Sequence, residues 1–206
     1  MDRAELLAKV AAGNAHAAGQ VGVVCNVYRP NGISAPIASA NLIQSLPVYL
    51  EPAEKLQERP EWIGTFDFSF TRQGDYLVDV GGTTYFIGAQ TGLAAVVCVQ
   101  TNAILSVTRP VAVSNFGADG YSGVVDSLMQ GLICEWPASL VVSGRAKDGE
   151  AEDNMGLAAW EIMLPVMSVI PLVADVVTDD LGRIFVVTAA ERSLLGWLLH
   201  VKQASS

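Results

Sequence analysis

Residues 74–100, GDYLVDVGGTTYFIGAQTGLAAVVCVQ, constrain the fold most, because they read as a β-meander that recurs as residues 175–203, DVVTDDLGRIFVVTAAERSLLGWLLHVKQ. An offset of 100 aligns Asp75 with Asp175, Asp79 with Asp179, Gly82 with Gly182, Tyr85 with Phe185, Ile87 with Val187 and Ala89 with Ala189. Four inserted residues then move the pairing to an offset of 104, with Gly92-Leu93 on Gly196-Trp197 and Val97 on Val201. Upstream, Pro47-Val48-Tyr49-Leu50 corresponds to Pro137-Ala138-Ser139-Leu140, and Trp62, Phe66 and Phe68 correspond to Trp160, Ile162 and Leu164. Apolar runs and turns in the same order at near-constant spacing indicate duplication. The competing explanation is that two β-meanders look alike through composition alone.

Duplication predicts a mainly β chain of two tandem small β-barrel or β-sandwich units with a short N-terminal helix. The expected units are 1–110, comprising the helix and the first β unit, and 111–206, with Pro110 at the seam. Residues 2–18 are alanine-rich, and Leu6, Leu7, Val10 and Ala11 form a narrow apolar stripe on a helix. Gly13 and Asn14 weaken that helix, Asp2 is its expected N-cap and Gly19 its stop. Val21 through Tyr28 is the first expected strand, closed by the turn residues Pro30 and Asn31-Gly32, with an irregular connection over 33–46. Phe66, Phe68 and Phe70 alternate with Asp67 and Ser69, which predicts three rings on one face of a strand. Gly81-Gly82 makes a hairpin turn between strands over 76–80 and 83–87, and Gly182 is expected at the same turn position, both Gly82 and Gly182 with positive φ. Further strands are expected over 93–100 and 104–107, and 115–123 reads as a linker or first loop.

Apolar residues make up 51% of the chain and charged ones 16%, against a usual charged share of about 25%. Of the 33 charged residues, 12 fall in 51–61 and 143–156, which occupy matching places in the duplicated plan and read as charged loops. Two small units expose much surface for their volume, so other subunits are expected to cover part of it. A net charge of −9 without any Lys/Arg cluster argues against phosphate-backbone recognition of DNA or RNA. No secretory leader is apparent, and residues 157–177 are interrupted by Glu161, Pro165, Pro171 and Asp175, which argues against a membrane span. Cys25, Cys98 and Cys134 are odd in number and far apart, fitting reduced, buried apolar residues rather than a disulfide framework or CxxC metal site.

No candidate chemistry survives comparison with a simpler explanation. Asp175, Asp179, Asp180 and Glu191 could form a carboxylate cluster for a metal or acid/base work. However, Asp179-Asp180-Leu181-Gly182 corresponds to Asp79-Val80-Gly81-Gly82, which lacks the second carboxylate, so a hairpin turn explains it better. His16 and His200 have no cysteine or carboxylate at ligand spacing. Gly81-Gly82 belongs to no phosphate-binding pattern, and the cysteines have no nearby histidine in sequence. Trp136, Trp160, Phe185 and Trp197 could be a ligand-stacking stripe but fit a core better. The expectation is a non-enzyme without cofactor, nucleotide or metal.

At Tyr28-Arg29-Pro30, Gly74-Asp75-Tyr76-Leu77-Val78 and Tyr85-Phe86-Ile87-Gly88-Ala89-Gln90 the chain resembles minor virion proteins of tailed bacteriophages and prophages. Residues 174–183 and Phe185-Val186-Val187 look like the final hairpin of small β-rich head-to-tail joining proteins. The resemblance implies a connector, head-closure or tail-adaptor protein of the virion neck, assembled in the host cytoplasm as a ring of copies of itself against portal, connector or tail proteins. The alternative is a β-barrel module that binds a small ligand or glycan.

Overall fold

A computed structural model describes residues 2–53, 60–92, 94–111, 129–143 and 159–204. Helix α1 (Arg3–Val21) precedes β1 (Val23–Tyr28), β2 (Leu42–Pro52), β3 (Glu61–Thr65), β4 (Tyr76–Asp79), β5 (Thr84–Ala89) and β6 (Val96–Gln100). These six strands close into an antiparallel barrel in the order β1-β2-β3-β6-β5-β4. The next six are β7 (Ala103–Pro110), β8 (Met129–Val142), β9 (Ala159–Leu164), β10 (Val176–Asp179), β11 (Ile184–Ser193) and β12 (Gly196–Gln203). They close in the order β7-β8-β9-β12-β11-β10, the same circuit six strands on. In each barrel the fourth strand returns beside the first after a three-strand meander, which is a Greek key. Both units are therefore barrels rather than sandwiches, and closure leaves no sheet edge open.

Irregularities recur as well as topology. The β5–β6 register slips between Ile87 and Ala89, and the β11–β12 register between Val187 and Ala189. The slips after Val27 in β1 and Val107 in β7 are a second matched pair. Trp62 meets Tyr85 edge-to-face at 5.8 Å in the first barrel, and Trp160 meets Phe185 at 5.9 Å in the second. Gly82 and Gly182 have φ of 87° and 76° at the turn position expected of both.

Several sequence expectations need correction. The seam lies at Thr101-Asn102 rather than Pro110, because β7 pairs with β8 and β10 in the second barrel. Thr101 hydrogen-bonds Thr84 of the first barrel, whereas Asn102 bonds Ala138 and Leu140 of the second. Cys98, not Val97, is the counterpart of Val201: Ile87 pairs with Cys98 as Val187 pairs with Val201. A one-residue slip exchanges the faces of a strand, and both Cys98 and Val201 point into their barrels. Phe66, Phe68 and Phe70 lie beyond the end of β3 in a turning segment; the first two are buried and the third is exposed.

The helix runs through Gly13-Asn14 and past Gly19, since burial of Ala11 and Ala18 outweighs the local propensity cost. It ends at Gly22, where a Cβ would lie 2.5 Å from the Ala18 carbonyl and 2.7 Å from that of Val48. Asp2 occupies the N-cap position without a side-chain cap bond. The centres of both expected charged loops, and the expected linker 115–123, lie outside the described residues.

Candidate functional site

Each barrel is closed at one corner by an arginine–aspartate clamp. Arg29, at the end of β1, donates from Nε to Asp75 Oδ1 at 2.9 Å and from Nη2 to Asp75 Oδ2 at 2.7 Å and the Phe70 carbonyl at 3.0 Å. Arg109, at the end of β7, repeats this on Asp175 at 2.7 and 2.9 Å and on the Ile170 carbonyl at 2.8 Å. Each carboxylate also accepts a backbone amide, from Arg72 or from Leu172. Both carboxylates are buried, and hydrogen bonding to them raises the pKa of Arg29 and Arg109. A bidentate, charge-assisted pair fixes direction as well as distance, so the clamp ties the loop before β4 or β10 to the barrel's first strand.

The proposed carboxylate cluster is not assembled. Asp175 belongs to a clamp, and Asp179 accepts the Leu181 and Arg183 amides and pairs with Arg183 Nε at 2.7 Å. Asp180 is exposed in the turn, and Glu191 is exposed on β11 opposite Leu198. Among the described residues no group of three or more His, Cys, Asp or Glu side chains could hold a metal. His16 is exposed on α1, while His200 lies 3.8 Å from Glu161 on the neighbouring strand, a proximity sequence spacing did not reveal. No helix among the described residues is long and apolar enough to cross a membrane.

Cys25 and Cys98 are buried as expected, but Cys134 is exposed. Burial, aided by nearby Asp79, pushes the Cys25 thiol up to about 11; burial raises Cys98 further. Trp136, Phe185 and Trp197 belong to one core cluster with Trp160 packed against it, so the aromatic stripe is core.

That cluster crosses the seam: Tyr76, Phe86 and Val99, on the outer face of the first barrel, are buried with residues of the second. The Tyr76 hydroxyl donates to the Pro137 carbonyl at 2.8 Å, its ring meets Trp136 edge-to-face, and burial raises its pKa well above the usual value. Trp136 Nε1 donates to the Ile33 and Ser34 carbonyls, so the 29–41 connection straps the second barrel to the first. At the β5 bulge, a Cβ on Gly88 would lie 3.2–3.3 Å from Leu195 in the β11–β12 turn, and Gln73 donates to the Leu194 carbonyl at 2.7 Å.

The corresponding face of the second barrel is open. Val176 stands in place of Tyr76, Val186 in place of Phe86 and Thr188 in place of Gly88. Val186 and Thr188 are exposed, as are Ile184 beside them and Ile170, Leu172 and Val173 in the adjoining loop. A face covered by a barrel in one copy is thus exposed in the other, where Lys202 stands in place of Val99 beside the aliphatic Val186 and Ile184, and exposed apolar surface marks interaction sites. The chain matches no protein-family model, no curated protein sequence and no solved structure.

Proposed function

We propose that this chain is a structural protein of a tailed-phage virion, forming or joining a ring at the head-to-tail interface as a connector, head-closure or tail-adaptor component. The observation that carries the reading is the exposed outer face of the second barrel, with Ile184 and Val186 on it and Ile170, Leu172 and Val173 in the adjoining loop, equivalent to the face the first barrel buries against its neighbour. A face of this kind suits side-by-side contact between subunits, and a repeated heterologous contact that closes on itself gives a ring. The low share of charged residues agrees with that use, and the residue resemblance supplies the virion context. Both barrel interiors are packed with aliphatic and aromatic side chains, which favours a scaffold over a barrel that encloses its ligand.

Electron cryo-microscopy of assembled particles tests this reading. The expected result is a closed ring of copies at the neck; a single asymmetric copy, or none, would contradict it.

A further inference from the structure

Where the 33–37 strap crosses β7 and β8, the seam leaves a cavity of about 640 Å³, within the size range of ligand sites. Ile37, Ile104 and Pro137 supply an apolar wall, and Glu135 and Asp180 stand at the cavity as carboxylates. Asp179 also lines it, but its carboxylate is committed to Arg183 and the turn amides. A second cavity of about 290 Å³ shares Ile37, Ile104, Pro137 and Asp180 with the first and adds Thr83, Thr84 and Thr101 to the lining. Among the described residues, no lysine, arginine or histidine lines either space. Glu135 is set there by a bulged segment of β8, with φ of 55° and its amide donating to Ser106 Oγ.

We propose that this seam groove binds the side chain of a lysine or arginine from an extended segment of a partner protein. Such a side chain lays its apolar stem along a hydrophobic wall while its cationic head meets carboxylates. The groove offers that combination, with the carboxylates of Glu135 and Asp180 and three aliphatic residues in its lining. The proposal is independent of the virion reading, since it rests on the intramolecular seam and not on the open face.

The test uses the full chain and three capped tripeptides, Leu-Lys-Leu, Leu-norleucine-Leu and Leu-Glu-Leu, followed by NMR at the methyl groups of Ile37 and Ile104. The lysine peptide is expected to shift both methyls and to bind about ten-fold more tightly than the glutamate peptide, a preference that weakens in high salt. The double variant Glu135→Gln/Asp180→Asn should lose the preference while its methyl spectrum shows the fold retained. n-Hexylammonium serves as a free cation. Binding of that probe without binding of the lysine peptide would overturn the partner segment, and equal binding of the lysine and glutamate peptides would overturn the cationic site. A preference unchanged in the double variant would overturn the role of the two carboxylates.

Discussion

The two barrels share one circuit, one pair of bulges and one clamp, yet their equivalent outer faces differ in size and cover. Where the first barrel presents Tyr76, Phe86 and Gly88, the second presents Val176, Val186 and Thr188. Large rings and a glycine belong to the face on which another barrel rests; a β-branched residue at the bulge belongs to the face that is exposed. What closes the barrel has been kept, and what covers it has changed. The difference separates residues that specify the fold from residues that specify a neighbour.

Breaking the clamps should give the largest effect and should distinguish the barrels. Arg109→Met leaves Asp175 buried without a cation, which is expected to cost about 3–5 kcal/mol in chemical denaturation. Arg29→Met should cost less, because Arg72 lies 3.7 Å from Asp75 while the second barrel has Leu172 in its place. Equal losses would remove Arg72 from the account.

Exchanging the bulge residues sharpens the comparison of faces. Gly88→Thr forces a side chain against Leu195 and is expected to destabilise by about 1–3 kcal/mol through overpacking. The reverse exchange, Thr188→Gly, should cost about 1 kcal/mol or less. Comparable thermal shifts would mean that the seam does not need its glycine. Gly82→Val and Gly182→Val should instead behave alike, each losing about 1–3 kcal/mol from backbone strain, since a Cβ at either position meets nothing within 4 Å.

Alkaline pH should weaken one barrel selectively. The first buries Cys25, Cys98, Tyr76 and Tyr85, whose pKa values burial raises, whereas their counterparts Leu105, Val201, Val176 and Phe185 do not titrate. A raised folded pKa means the unfolded chain loses its proton first, so this contribution is intact below the ordinary thiol value of 9.0 and declines towards the Cys25 value of about 11. Amide exchange followed from pH 8 upward should show β1 and β6 losing protection before β7 and β12.

The repeat and its turn glycines were legible in the sequence because a positive φ at a hairpin selects glycine locally. The clamps were not: Arg29 and Asp75 are far apart in the chain and meet only when β4 closes against β1. Their trace was the recurrence of Arg-Pro at Arg29-Pro30 and Arg109-Pro110, and reading Pro110 as a seam concealed it. The offset near Val97 erred by one residue because the hairpins differ in length and apolar identity alone does not say which face a strand residue takes. The open and covered faces could not be told apart, since valine in place of phenylalanine reads as an ordinary strand residue until the neighbouring barrel is seen.

Cysteine accessibility tests most directly whether the open face is a subunit contact. Val186→Cys and Thr188→Cys, each in a Cys134→Ser background, would be alkylated in the isolated chain and again in the assembled ring or particle. Both positions are exposed in the single chain, so rapid reaction is expected there, followed by slowing of about ten-fold or more on assembly as the face is covered. Equal rates in the isolated and assembled states would contradict the account.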